Sequence, residues 1–181
     1  GDGLLAYSST GSKLRESGPR ALPDPFVPGD TIERKGARAV MTVSVANSTF
    51  VGHDKADTWG IGAYAAGTGA VDLTVTQSTV KDWDYGVVAY DYGAPATVTA
   101  NYNQILSNVS YGFVSTFASG LLDATDNWWG DATGPHDPAG TIEVPPCEGD
   151  PAEHLNADGL GDAVSDGIAY CPWLGGPATI T

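Results

Sequence analysis

The stretches Gly60-Ile61-Gly62-Ala63-Tyr64 and Gly86-Val87-Val88-Ala89-Tyr90 are two copies of one short phrase. Gly3-Leu4-Leu5-Ala6-Tyr7 precedes them, and a weaker copy, Gly112-Phe113-Val114-Ser115-Thr116, follows them. The last three copies begin 26 residues apart. A fixed period of this length is typical of a solenoid, in which one short structural unit stacks repeatedly on itself.

A second pattern of apolar residues supports the same period. In each copy, apolar residues stand at a first position, two residues later and seven residues later. The spacing of two is that of inward-facing residues in a strand. Insertions fall between the copies and never inside them, as expected for loops on a stacked coil. The copies are Val43, Val45 and Phe50; Leu73, Val75 and Val80; Val98, Ala100 and Ile105; Leu122, Ala124 and Trp129.

The connections between these strands are short and contain Gly, Asn and Asp, and no sustained helical apolar pattern appears between residues 39 and 125. We therefore predict an all-β fold of about four coils, with two strands in each coil from the two patterns. The regular coils should cover residues 39–130.

The two ends of the chain break the period. Residues 1–38 hold part of a coil and then a long Pro-rich, basic excursion, which either caps the stack, lines a binding face or forms a mobile loop. Because the first phrase lacks a preceding strand pattern, we expect an upstream part of the same polypeptide or a cover formed by the excursion. Residues 131–181 lack the period and are expected to cap the other end.

The charge is strongly acidic, with 22 acidic and 8 basic residues and a formal net charge of −14. After residue 38 the only basic residues are Lys55 and Lys81. This balance excludes nucleic acid and anionic membranes as natural partners. No apolar stretch is long enough for membrane insertion.

The acidic surface either confers solubility in an extracellular or salty medium or binds Ca²⁺. The nearest approach to a calcium loop is Asn156-Ala157-Asp158-Gly159-Leu160-Gly161-Asp162, which lacks the acid expected at the end of such a loop. Asp158 and Asp162 are thus the candidate metal ligands. The sequence calls for no other cofactor.

The chain has two cysteines, Cys147 and Cys171. With no complete set of zinc ligands around them, a disulfide is the simpler interpretation. It would close a loop of about 25 residues and contribute about 3 kcal/mol. A disulfide predicts an extracellular location, secreted or at the cell surface.

The stretch Asp123-Ala124-Thr125-Asp126-Asn127-Trp128-Trp129-Gly130, followed by Gly134-Pro135, resembles the end of β-helix segments in secreted and surface-anchored bacterial and archaeal proteins. The later stretch from Gly159 to Asp166, closing with Pro172-Trp173-Leu174, resembles the segment that follows in those proteins. The resemblance implies a right-handed parallel β-helix of the pectate-lyase-like superfamily. That superfamily includes lyases, glycosidases and non-catalytic adhesins, so the fold does not select a function.

An enzymatic role would need converging carboxylates, and the candidates are Asp82, Asp84 and Asp91. The lyases of the superfamily use a basic residue, but Lys81 adjoins Asp82 and is better explained as a salt-bridged surface lysine. We commit to no catalytic residue.

Trp59, Tyr85 and Tyr111 each precede the Gly of a phrase, 26 residues apart, and should stack along the coil axis. An outward ladder, flanked by Trp83, Tyr90 and Tyr92, would give sugar rings a flat apolar strip; an inward ladder would be core packing.

The sequence thus favours a non-catalytic extracellular β-helix module that binds a glycan or another cell-surface molecule. The alternatives are a polysaccharide-degrading enzyme, hydrolase ahead of lyase, and a structural spacer without a ligand.

Overall fold

The computed structural model describes residues 4–9, by their backbone, and residues 39–116, 121–138 and 155–180. Within these ranges the chain is all-β and contains no helix. In chain order the strands are β1 (Leu4–Ser9), β2 (Val40–Ala46), β3 (Thr49–Val51), β4 (Trp59–Ala66), β5 (Ala70–Thr76), β6 (Thr79–Lys81), β7 (Tyr85–Tyr92), β8 (Ala96–Asn101), β9 (Gln104–Leu106), β10 (Tyr111–Thr116), β11 (Leu122–Asp123), β12 (Pro135–His136), β13 (Gly161–Ala163) and β14 (Ile168–Ala169).

Twelve of these strands form three parallel sheets that run along the stack, and β12 and β13 form a separate two-stranded sheet. Sheet A has the order β1-β4-β7-β10, sheet B the order β14-β11-β8-β5-β2 and sheet C the order β3-β6-β9. Each coil passes through sheets C, A and B in turn. Adjacent strands of one sheet therefore belong to successive coils. The predicted parallel β-solenoid of about four turns is confirmed.

The first apolar pattern forms one column in sheet B. Val43 pairs with Leu73 and Leu73 with Val98, while Asp123 pairs with Thr99 and so places Leu122 beside Val98. Leu73, Val98 and Leu122 are at most 5% exposed. Burial of one such side chain stabilises the fold by about 1.5 to 3 kcal/mol.

Each coil turns from sheet B to sheet C at a residue with positive φ. These residues are Asn47, Gln77, Tyr102 and Asp126, with φ between 46° and 58°. The left-handed conformation bends the chain sharply at one residue, and a polar side chain follows directly. In addition to the two predicted strands, each coil therefore has a short strand in sheet C. This short strand precedes the strand of sheet A.

In its described part, the predicted cap at residues 131–181 forms the next layer of the stack. Val164 forms a parallel bridge with Phe113 of β10, and Ile168 pairs with Leu122 of β11. The Leu174 N–H then donates to the Asn127 carbonyl (2.9 Å). Residues 162–174 thus follow the path of the coil beneath them, and an insertion after the fourth coil hides this from the sequence period.

β1 lies at one end of sheet A, with Ala6 paired to Ala63. The Pro-rich excursion lies outside the described residues.

Candidate binding face

The outer surface of sheet A is aromatic. In β4, Ile61, Ala63 and Ala65 point into the core and are 0% exposed, while Tyr64 between them points outward and is half-buried. The next coil repeats the arrangement, because Tyr64 pairs with Tyr90. We call the following outward side chains the aromatic face: Trp59, Tyr64, Tyr85, Tyr90, Tyr92 and Tyr111.

Tyr90 is the centre of the aromatic face. Its ring stacks on Tyr64 with centroids 5.1 Å apart and an interplanar angle of 16°. It also stacks on Trp59 at 6.1 Å and 24°, and it contacts Tyr92 at 6.4 Å and 35°. Three rings therefore contact one tyrosine and form an apolar cluster on the outside of sheet A.

The predicted ladder of Trp59, Tyr85 and Tyr111 lies on the outer side and is split into two parts. The backbones of Trp59, Tyr85 and Tyr111 are in register. Tyr85 and Tyr111 stack at 6.3 Å and 11°, but the Trp59 ring stacks on Tyr90 instead.

The Trp59 ring lies beside Gly62. A Cβ added to Gly62 would lie 3.6 Å from Cε3 of Trp59, so the indole extends over a position without a side chain. The corresponding residue of the next coil is Val88, which is 1% exposed and forms an apolar floor. Tyr85 instead stacks on Tyr111.

Trp83 is a core residue, which corrects its prediction as part of a ligand-binding strip. It is 7% exposed and belongs to the hydrophobic core. A Cβ at either Gly52 or Gly60 would come within 2.8 Å of its ring. The side chain turns inward because these two glycines leave space for the indole at the corner of the coil.

Tyr92 is 41% exposed at the end of β7, consistent with a surface residue. The sequence analysis missed Tyr64, although Tyr64 and Tyr90 are the last residues of two aligned copies of the repeated phrase. Alternation within the phrase places both on the side opposite Ile61 and Val87, and this signal identifies them.

Of the candidate acids, Asp91 does not converge with Asp84. Asp84 is 6% exposed and accepts hydrogen bonds from the Asp57 N–H (2.6 Å) and the Ser110 hydroxyl (2.5 Å). Asp91 lies at the other end of β7, roughly 20 Å along an extended strand. Glycoside hydrolysis requires carboxyl groups no more than about 9.5 Å apart.

Asp82 has a turn role. It adopts a φ of 60°, and its carboxylate lies 3.2 Å from the Lys81 ammonium. Lys81 is thus the surface ion-paired lysine that the sequence predicts.

The two candidate metal ligands lie in different environments. Asp158 is exposed, whereas the Asp162 carboxylate accepts hydrogen bonds from the Asn108 N–H (2.9 Å) and Nδ2 (2.7 Å). Burial raises the pKa of Asp162 to about 6. Asn156, the third member of the motif, donates to the carbonyls of Thr133 and Pro135. Among the described residues no group of three or more His, Cys, Asp or Glu side chains is arranged to hold a metal ion.

Asp162 instead continues a row of internal hydrogen bonds. The Trp83 N–H donates to Asn108 Oδ1 (3.1 Å), and Asn108 in turn donates to Asp162. The Asp162 carboxylate therefore accepts a backbone N–H hydrogen bond in the last layer, as Asn108 Oδ1 does one coil earlier.

Cys171 packs against the hydrophobic core, and Cys147 lies outside the described residues. The Cys147–Cys171 disulfide stays a prediction.

Comparison with known proteins finds no matching family model, no matching curated protein and no matching solved structure. In the described parts of the chain no helix is long and apolar enough to cross a membrane.

Proposed function

We propose that this chain is a non-catalytic extracellular module that binds carbohydrate through the aromatic face of sheet A. We also propose that the chain is a right-handed β-helix of the pectate-lyase-like superfamily. The parent protein would be a secreted or surface protein of a bacterium or archaeon. The observation that carries the binding role is the cluster of three rings around Tyr90 on the outside of a rigid sheet.

Sugar rings present flat C–H surfaces bordered by hydroxyl groups. Tyrosine suits such a ligand, since its ring offers an apolar face and its hydroxyl both donates and accepts hydrogen bonds. The aromatic face contains five tyrosines and one tryptophan, all on the same sheet. Rigid strands fix the rings in advance, so binding loses little conformational entropy.

The stacking direction supports an extended polymer as the ligand. Tyr64 and Tyr90 lie one above the other along the solenoid, as do Tyr85 and Tyr111. A chain of sugars can therefore contact several coils at once, which adds weak contacts into a useful affinity. The separation of Asp84 from Asp91 along β7 favours this binding role over hydrolysis.

The experiment is calorimetric titration of the full chain with three neutral hexasaccharides: cellohexaose, xylohexaose and β-1,4-mannohexaose. We expect at least one to bind, and we expect Tyr90→Ala to weaken binding at least tenfold because it removes the central ring. Tyr102→Ala is the matched control, since Tyr102 is 54% exposed in the turn between β8 and β9.

Circular dichroism and thermal unfolding of both variants check that they fold. Binding that is weakened by Tyr102→Ala but not by Tyr90→Ala would place the site elsewhere and contradict the proposal. Absence of binding to all three sugars and to the C6-oxidised forms of cellohexaose and mannohexaose would also contradict it.

A further inference from the structure

We propose that Asn47 is an N-glycosylation site, at which an oligosaccharide is transferred to the side-chain amide from a lipid-linked donor. This inference goes beyond carbohydrate binding and rests only on the extracellular location in the proposed function. It comes from two copies of one acceptor motif that the fold places in opposite environments.

The acceptor motif consists of Asn, any residue except Pro, and then Ser or Thr. The sequence contains it twice, as Asn47-Ser48-Thr49 and as Asn108-Val109-Ser110. A motif this short also arises by chance, so the surroundings of each copy decide its role. The other asparagines lack a Ser or Thr two residues later: Asn101, Asn103, Asn127 and Asn156.

The first copy is accessible. Asn47 is exposed in the turn between β2 and β3, where it adopts a φ of 50°. Its backbone N–H donates to the Thr76 carbonyl (3.3 Å), which holds the turn in place. Among the described residues no hydrogen bond engages the side-chain amide of Asn47. Thr49 is exposed as well, so both groups that define the motif are open to a transferase.

The second copy is enclosed. Asn108 is 8% exposed, and its Nδ2 donates to Asp162 Oδ2 (2.7 Å) and to the Val80 carbonyl (3.3 Å). Its Oδ1 accepts from the Trp83 N–H (3.1 Å). A Cβ added to Gly86 would lie only 2.8 Å from Asn108 Nδ2, so not even a methyl group fits beside this nitrogen. The folded chain therefore excludes a sugar at Asn108.

The transfer at Asn47 forms one bond and breaks one. The Nδ2 nitrogen attacks the anomeric carbon of the first sugar, and the bond from that carbon to the phosphate oxygen of the polyprenyl carrier breaks. The carrier leaves with the electron pair as its phosphate, and the nitrogen loses one proton to a base of the transferase. Nothing is oxidised or reduced. The product carries a bulky, hydrophilic group at the surface.

The position of Asn47 keeps the glycan away from the aromatic face. The turn at Asn47 connects a strand of sheet B to a strand of sheet C, whereas the aromatic face belongs to sheet A. Glycosylation at this turn should therefore leave the binding of hexasaccharides unchanged. The two proposals can be tested separately for the same reason.

The test is secretion of the full chain from a eukaryotic host, which supplies both the transferase and the lipid-linked donor. Treatment with peptide-N-glycosidase in heavy-oxygen water converts each glycosylated Asn to a labelled Asp, which mass spectrometry of peptides locates. We expect the occupancy at Asn47 to exceed that at Asn108 at least tenfold, because folding encloses only Asn108.

Two variants should abolish the modification. Asn47→Gln removes the acceptor, and Gln suits the turn because Gln77 adopts a φ of 46° at the same place one coil on. Thr49→Ala removes the motif and keeps Asn47. The matched control is Thr79→Ala, which should leave the occupancy unchanged, since Thr79 pairs with Thr49 in register but follows Gln77 instead of Asn. Circular dichroism checks that all three variants fold.

The outcomes separate this inference from the proposed function. An unmodified Asn47 in the secreted chain would overturn the inference, as would a glycan that persists in Thr49→Ala or disappears in Thr79→Ala. Equal occupancy at Asn47 and Asn108 would contradict the selection by the fold. If Asn47 is modified but chain made without glycosylation binds no hexasaccharide, carbohydrate binding fails and the inference stands.

Discussion

The buried amide of Asn103 is bonded directly to Asn127 in the next coil. The backbone N–H and Nδ2 of Asn103 both donate to Oδ1 of Asn127, at 2.8 and 3.0 Å. Both side chains are 0% exposed. Asn127 Nδ2 in turn donates to the Ala100 and Ala124 carbonyls, so this pair completes the hydrogen bonding of turns in two coils.

Asn103→Ala should lower the free energy of unfolding by about 2 to 4 kcal/mol. The substitution leaves the Ser78 N–H and the Val75 carbonyl without the partners that Asn103 now provides. Urea unfolding followed by circular dichroism measures the loss. Asn101→Ala, two residues earlier and outside the core, should cost less than half as much; equal costs would show that burial of the amide row does not control stability.

Gly60→Ala should destabilise the chain by about 1 to 3 kcal/mol, because the core at this corner has no space for a methyl group. The added Cβ would lie 2.7 Å from the Gly86 carbonyl oxygen and 2.8 Å from Cδ1 of Trp83. Gly175→Ala is the matched control, since its Cβ would meet nothing within 4 Å. A neutral result for both in thermal unfolding contradicts the close approach of neighbouring coils.

Trp83→Ala should cost about 3 to 5 kcal/mol of stability because it leaves a cavity in the core. Trp83→Phe should remain folded and should bind neutral hexasaccharides as the unmodified chain does, since Trp83 is not part of the aromatic face. Differential scanning calorimetry and calorimetric titration separate the two effects. Loss of binding in a stably folded Trp83→Phe variant would return Trp83 to the ligand site.

Asp162 should make stability fall as pH rises. Burial raises the pKa of Asp162 from 3.8 to about 6 in the folded chain. The protonated form is therefore favoured by folding, and the stability is fully present below pH 3.8 and is lost as pH rises through about 6. The difference corresponds to about 2 to 3 kcal/mol.

Asp162→Asn should remove this part of the pH dependence, and urea unfolding from about pH 4 to about pH 8 measures it. The exposed Asp158→Asn variant should keep the slope of the unmodified chain. A slope unchanged by Asp162→Asn would mean that the Asp162 carboxylate is not buried against Asn108.

The columns of apolar residues were predictable because the spacing within each copy of the pattern is the same. This spacing places Val43, Leu73 and Val98 in one register whatever the lengths of the loops between the copies. The side of sheet A on which the aromatic ladder lies could not be predicted by counting residues along the strand. Gly60 and Ile61 both point inward, since a Cβ at Gly60 would meet Val80 and Trp83, and Ile61 is 0% exposed. Alternation therefore resets at the corner and places Trp59 on the outer side.

The final layer was hidden for a different reason. Val164 bridges to Phe113 across a separation of 51 residues, about twice the repeat period. A sequence repeat is recognised from equal intervals, so an insertion of this length hides the last layer of the stack. Asp162 likewise resembled a calcium ligand in sequence, because only the fold brings Asn108 to its carboxylate.

The most direct test of the carbohydrate-binding account is an NMR titration of the isotopically labelled full chain with cellohexaose, xylohexaose and β-1,4-mannohexaose together. The account predicts chemical-shift changes concentrated in residues 59–66, 85–92 and 111–116, with Tyr90 among the largest. Changes concentrated in the strands of sheet B or sheet C, or no changes at saturating sugar, would contradict it.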